Sequence, residues 1–286
     1  MKKVLVIGAK GMLGGEIVRQ FSQDDNYKVL AWDFSEIDIT DSKSAKEKIR
    51  QEKPNVIINC AAYNNVDEAE SKEGFQKALK LNTEAPETLA EIAKELDAVF
   101  VQYVSDYIFD GEKGEYNEDD KKNPISKYGE SKAKGENNVK EVGGKYYLIR
   151  TSKLFGLPGK SESAKKSFFD VMLNLAKEKN ELKVIDSEKA YFTYVPDLTT
   201  ATKKLIEKEY DFGIYHLVNE GAVTWYEGVL KLFEIAGVEG VKVVPVNSDE
   251  FPRPAKRADS TILINTKFPK LRRYENAIKD WLDKRD

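Results

Sequence analysis

The chain has 286 residues, 41% of them hydrophobic and 10% aromatic, which suits one large globular unit with a smaller lobe and excludes wholesale disorder. A formal net charge of −3 excludes the broad basic field of a nucleic-acid binder, and one cysteine with one histidine exclude an internal disulfide and a zinc cluster. No apolar run approaches the roughly 18 residues of a membrane span, and the N-terminal run VLVI is broken by Gly8 and Gly11, so a cytoplasmic protein without nucleic-acid or membrane partners is expected.

Continuous apolar runs rich in Val and Ile at 3–7, 28–32, 55–60, 98–104 and 146–151 read as buried strands. Amphipathic stretches such as MLGGEIVRQFSQ and TEAPETLAEIAKEL lie between them. That alternation predicts right-handed crossovers and an α/β fold with a Rossmann-type doubly wound parallel sheet. Further strands are expected at 182–186 and 213–218, and the stretch 112–122 reads as a charged surface loop. The last third changes character. Thr224 and Glu227 form a capping box that opens a helix over 225–236, followed by a strand near 241–246, the loop FPRPAKR and a closing helix near 275–284. The expected division is a dinucleotide-binding domain of 1–157 plus 182–219 and a smaller α/β substrate lobe of 158–181 plus 220–286.

Gly8, Gly11 and Gly14 follow the first strand in a GxxGxxG pattern and open a helix. Glycines there allow a tight turn and let phosphate oxygens reach backbone amides at the positive end of a helix. Asp33, at the end of the second strand, stands where a carboxylate hydrogen-bonds an adenosine ribose and repels a 2'-phosphate. No Arg or Lys follows it directly, which favours NADH over NADPH, although Lys10 in the glycine loop is a cation within reach of a phosphate.

Two tyrosines have a basic residue four positions on, Tyr128/Lys132 and Tyr146/Arg150, about what chance gives with 14 Tyr and 46 Lys+Arg. Context favours the first, because Ser105 follows the fourth strand near the same carboxyl edge of the sheet. Hydride arriving at a ketone carbon leaves an alkoxide that needs a proton, which a phenol can supply. A lysine cation ~4 Å away would contribute roughly 4 kcal/mol, about three pKa units in favour of phenolate. The Ser105 hydroxyl can stabilise the developing oxyanion.

Glycine loop, strand-end serine and YGESK together resemble the extended short-chain dehydrogenase/reductase family and, within it, the dTDP-4-dehydrorhamnose reductases. Similar segments run through nearly the whole chain, among them NCAAYNNVDEAE (59–70), LNTEAPETLA (81–90), SDYIFDG (105–111), RTSKLFG (150–156) and FPRPAKR (251–257). The resemblance implies NADH- or NADPH-dependent reduction of the 4-keto group of a 6-deoxy nucleotide sugar. It implies Ser105, Tyr128 and Lys132 as the catalytic set. Along the cofactor it places Gly8, Gly11, Met12, Leu13, Gly14, Asp33, Asp38, Ile39, Ala61, Ala62, Tyr63 and Lys132, and around the sugar nucleotide Val66, Ser105, Asp106, Tyr107, Tyr128, Lys153, Arg253 and Arg257. A homodimer through a helix pair is the assembly this fold suggests.

The chain also departs from the family pattern. Ser105 replaces the usual Thr, Lys153 stands where many relatives carry Trp, and 186–198 lacks the usual Gly-x-Pro-Thr. A sister class of dehydratases carries an Asp-Glu pair after the strand-end hydroxyl, whereas Asp106 is followed here by Tyr107. An epimerase or reductase of another nucleotide sugar, and a non-catalytic regulatory partner that keeps the fold, are the alternatives. Arg253, Lys256 and Arg257 supply local positive charge suited to a diphosphate. His216, Cys60 and Trp225 read as packing residues, and Glu16 as a lone carboxylate that makes no metal site.

Overall fold

The computed structural model describes residues 1–161 and 165–285. Six strands form the central sheet: β1 (Lys2–Ile7), β2 (Tyr27–Trp32), β3 (Val56–Asn59), β4 (Val99–Ser105), β5 (Tyr146–Thr151) and β6 (Gly213–His216). They lie side by side in the order β2-β1-β3-β4-β5-β6, every neighbouring pair parallel. Alternate residues of β1 serve opposite faces: Leu5 and Ile7 enter one apolar cluster, Val4 and Val6 the other. Helices α2 (Ser42–Glu52), α4 (Ala85–Glu95) and α5 (Lys127–Val142) cover the first face, and α1 (Met12–Ser22) and α7 (Val195–Glu207) the second. Helix α3 (Lys72–Leu79) runs into a π turn over Lys80–Glu84 that leads to α4. Strand order reverses between β1 and β3, which opens a crevice at their carboxyl ends.

A third apolar cluster builds the smaller lobe from α6 (Phe168–Ala176), α8 (Trp225–Ala236) and α9 (Tyr274–Arg285), with Trp281 fully buried. The predicted capping box of Thr224 and Glu227 is present at α8. The strand Glu181–Ile185 corrects the expected boundary at 182. It pairs with Lys242–Val246 and sends Leu182 and Val184 into the lobe's core, so it does not belong to the central sheet. The stretch 112–122 is also more than a surface loop, since Gly114–Tyr116 pairs with Thr261–Leu263 and Glu118 is buried. Residues 162–164 and 286 of the expected lobe lie outside the described residues.

Tyr146 and Arg150 sit on a strand, where residues four apart are not surface neighbours in the helical sense. Arg150 instead turns into the interior and grips Glu136 through Nε at 2.8 Å and Nη2 at 2.7 Å. Its Nη1 donates to the Glu118 carbonyl at 3.1 Å and to His216 Nε2 at 3.2 Å, while His216 Nδ1 donates to the Ile264 carbonyl at 3.0 Å. His216 is thus a neutral, fully hydrogen-bonded core residue that ties β6 to β5.

Burial, together with the adjacent Arg150 guanidinium, lowers the His216 imidazole from 6.5 to about 4. The stability linked to this depressed value is fully present above pH 6.5 and is lost as pH falls towards 4. The unfolding free energy should therefore fall by about 3 kcal/mol more over that interval in the wild type than in His216→Gln. Chemical denaturation at several pH values reads this directly, and equal slopes would contradict the assignment.

Candidate active site

At the end of β1 the chain turns through Gly8, whose φ of 77° lies in the left-handed region. A Cβ there would stand 2.8 Å from the Ala61 nitrogen, and one on Gly14 would stand 2.1 Å from the Gly8 carbonyl oxygen. Side chains are therefore excluded where α1 packs on the strand. Gly11 caps α1 without a side-chain hydrogen bond, leaving first-turn amides available to an anion. This cradle fits the diphosphate of a dinucleotide.

Asp33 closes the neighbouring strand. Its carboxylate accepts from Lys10 N at 2.8 Å and Phe34 N at 2.9 Å, and the Lys10 ammonium donates to Ser35 Oγ at 3.1 Å. A carboxylate and an ammonium thus stand together where the ribose end of a dinucleotide would lie.

From the glycine cradle a cleft of about 910 Å³ runs across the sheet's carboxyl edge. Met12, Leu13, Cys60, Ala61, Ala62 and Tyr63 continue its wall, and Ser105, Asp106, Tyr107, Tyr128, Lys132 and Lys153 line its far half. Of the expected cofactor residues, Asp38 and Ile39 are not in that wall. Asp38 turns back to accept from Thr40 N at 2.9 Å and Oγ1 at 2.7 Å, and Ile39 is buried in the core. Val66, expected near the sugar nucleotide, is not in the wall either and packs against the small apolar cluster of Ala69, Ala78 and Tyr128.

Ser105 ends β4, whereas Tyr128 and Lys132 lie one turn apart in α5. Ser126 caps that helix by accepting from Gly129 N at 3.1 Å. Ser105 Oγ donates to Asp106 Oδ1 at 3.0 Å, and the Tyr128 hydroxyl donates to Asn64 Oδ1 at 3.4 Å. The expected lysine-driven activation of the phenol is not what the free protein shows. Burial raises the Tyr128 phenol well above its ordinary value, opposed only by its hydrogen bond with Ser105. Burial also lowers the Lys132 ammonium to about 8, and that ammonium stands 5.9 Å from the Tyr128 ring centre. At this separation the cost of burying charge exceeds the attraction between the two groups.

The far half of the cleft carries Lys153. Lys153 has a left-handed φ of 38°, and its ammonium lies 4.1 Å from the Trp225 ring centre and 5.1 Å from that of Phe192. It also donates to the Glu188 carbonyl at 3.3 Å. Burial lowers it to about 7, partly offset by Asp106, Glu188 and Glu227. Asp106 is buried too; its carboxyl is raised by desolvation while accepting from Ser152 Oγ at 2.8 Å and Thr261 Oγ1 at 2.7 Å.

Arg257 and Lys256 reach the cleft wall, but Arg253 does not. The Arg253 guanidinium pairs with Glu188, whose carboxylate also accepts from Trp225 Nε1 at 3.0 Å. Trp225 is correspondingly part of the cleft wall as well as of the lobe's packing. Cys60 lies just past β3 rather than within it, and burial raises its thiol, which disfavours a thiolate nucleophile. Glu16 pairs with Arg19.

Sequence reasoning missed Asn82. Its side chain accepts from Tyr63 N at 2.9 Å and donates to Tyr63 O and Ser131 Oγ, both at 3.0 Å, so it pins the cleft loop to α5. The π turn that carries it departs from helical periodicity, and only the segment LNTEAPETLA hinted at it.

The chain matches the model of the family "RmlD substrate binding domain" over residues 1–286. It is 35% identical over 279 residues to the dTDP-4-dehydrorhamnose reductase of Aggregatibacter actinomycetemcomitans, covering 94% of this chain and 92% of that one. A crystal structure of a dTDP-4-dehydrorhamnose reductase from Clostridium acetobutylicum superposes with a TM-score of 0.91 at 36% identity, covering 98% of both chains. The corresponding reductase from Bacillus anthracis, in complex with NADP, superposes with a TM-score of 0.92 at 31% identity over 99% of this chain and 100% of that one.

If the Lys132 cation serves the reaction, kcat/KM should fall as pH rises through about 8, because the free enzyme then loses that charge. Lys132→Arg should displace this limb upward, since a guanidinium stays charged. Rate measurements from pH 6 to 10 test this, and a limb unmoved by the substitution would contradict it.

Proposed function

This chain belongs to the RmlD substrate binding domain family, and we propose that it reduces the 4-keto group of dTDP-4-dehydro-L-rhamnose with a nicotinamide dinucleotide, giving dTDP-L-rhamnose. The observation that carries this reading is the convergence of Ser105, Tyr128 and Lys132 on one cleft that begins at the glycine cradle. The bound dinucleotide supplies the hydride. The remaining work falls to the protein's own side chains.

Tyr128 is protonated in the free protein, the state from which a general acid acts, and the charge developing on the substrate oxygen must offset the burial that raises its phenol. It delivers that proton to the sugar's O4, and Lys132 compensates the phenolate left behind. Ser105 stabilises the oxygen while charge builds on it. For that its proton must leave Asp106, to which it is bonded in the free protein, and turn towards the substrate. Arg257 and Lys256, both in the cleft wall, serve the diphosphate of the sugar nucleotide. Arg253 serves indirectly by holding Glu188 and, through it, Trp225. Lys153, wedged against Trp225, donates to a sugar oxygen in place of the indole found in many relatives.

NADH is the favoured cofactor on this reading, because Asp33 occupies the ribose end; the neighbouring Lys10 ammonium lets NADPH be used as well. Among the described residues no helix is long and apolar enough to cross a membrane.

Oxidation of NADH and of NADPH, followed by absorbance with enzymatically generated dTDP-4-dehydro-L-rhamnose, tests the activity. Rapid oxidation that Tyr128→Phe lowers at least a hundredfold is expected, as for loss of a general acid; turnover surviving that substitution would contradict it. Lys10→Ala should raise the KM for NADPH about fivefold relative to that for NADH, the value of about 1 kcal/mol for an exposed ion pair. An unchanged ratio would remove Lys10 from the cofactor site.

A further inference from the structure

Tyr107 touches α5 at two neighbouring residues and the 251–257 loop at a third point. Its carbonyl oxygen lies 2.1 Å from where a Cβ on Gly129 would stand, so the first turn of α5 can sit on it only because residue 129 is glycine. Its ring meets that of Tyr128 edge-on, with centres 5.4 Å apart and planes at 85°. The Arg257 guanidinium lies 5.9 Å from the centre of the same Tyr107 ring. Asp67 holds that guanidinium by two parallel hydrogen bonds, 2.8 Å to Nη1 and 3.0 Å to Nη2, and also accepts from Ala255 N at 3.2 Å.

The Tyr128 hydroxyl is held by the long bond to Asn64 and by its interaction with Ser105, both at the tip of the ring. Rotation about its second side-chain torsion is soft, so the plane of the ring must be set by what packs against it. Val66 and Tyr63 supply apolar surface; Tyr107 supplies the perpendicular edge that aromatic pairs prefer.

We propose that Tyr107 is a positioning residue for Tyr128, braced by the Asp67–Arg257 ion pair, so that docking of the 251–257 loop and seating of the proton donor are one event. The inference rests on the reading of Tyr128 as that donor. It gives Asp67, which touches neither cofactor cradle nor catalytic hydroxyl, a defined part in turnover. Misplacing a reacting group by about 1 Å costs on the order of a hundredfold in rate, so the effect should fall on kcat.

The test combines steady-state kinetics with fluorine NMR of protein containing 3-fluorotyrosine, the Tyr128 resonance being assigned by its loss in Tyr128→Phe. Tyr107→Leu should lower kcat tenfold to a hundredfold, change the sugar KM less than threefold, and shift or broaden the Tyr128 resonance. Tyr107→Phe, which keeps the ring, should restore most of kcat. Asp67→Asn, a conservative change at a partly exposed position, should move the same resonance and lower kcat, and its effect should not add to that of Tyr107→Leu. It also carries the test alone if the leucine variant fails to fold. A Tyr128 resonance unmoved in these variants, an unchanged kcat, or a loss confined to the sugar KM would overturn the proposal, the last by making Tyr107 a direct substrate contact. Should the protein turn over no keto-sugar at all, the reductase reading fails while the fluorine spectra still decide whether Tyr107 sets the Tyr128 ring.

Discussion

The site depends on how closely α5 approaches the backbone beneath it. A Cβ at Gly129 would lie 2.1 Å from the Tyr107 carbonyl oxygen, and one at Gly135 would lie 1.9 Å from that of Asn82. Two glycines six residues apart thus let the helix rest on two carbonyls, one following β4 and one in the π turn. Tyr128 immediately precedes the first of these glycines, and Ser131 and Lys132 lie between the two, Ser131 accepting from Asn82 Nδ2. Further from the cleft the Arg150–Glu136 pair clamps the same helix to β5. Such a buried pair is costly to desolvate and specifies one arrangement only when its geometry is complete; here the guanidinium is bidentate, and Lys122 also bonds the carboxylate at 2.7 Å.

Desolvation is the dominant electrostatic force in the cleft. It raises the Tyr128 phenol and the Asp106 carboxyl, and lowers the Lys132 and Lys153 ammonium groups to about 8 and about 7. Four titratable groups pushed towards neutrality in one concave space mark a functional site more firmly than any single spacing does. The proposed ligands are anionic, and their phosphates would stabilise the cations that burial penalises. The free protein is accordingly closer to a poised acid than to the pre-ionised phenolate that a nearby lysine suggests on distance alone.

Much of this was legible in the sequence. The inner strands β1, β3, β4 and β5 announced themselves as continuous apolar runs because both their faces are buried, and the glycine loop and strand-end Ser105 followed from position. What was not legible depends on the third dimension. Glu181–Ile185 has the composition of a sheet strand yet pairs in the lobe, because its partner Lys242–Val246 lies some sixty positions on. FPRPAKR reads as one basic patch, but folding sends Arg253 to Glu188 and Arg257 to Asp67, leaving Lys256 and Arg257 at the cleft wall and Arg253 away from it. Trp225 looks like a packing residue at a helix start, and its contact with Lys153 joins residues more than seventy positions apart. Spacing says nothing about burial, and burial is the largest influence on both Tyr128 and Lys132.

The claim at the centre of this account is that hydride passes from the dinucleotide to the sugar's keto carbon while the protein supplies the proton. Deuterium transfer tests it most directly. Product formed from NADH deuterated at the transferable position of the nicotinamide should carry one deuterium at C4 of the deoxyhexose, located by NMR, and none at C3 or C5. Absence of deuterium from C4, or solvent hydrogen appearing there in its place, would contradict it.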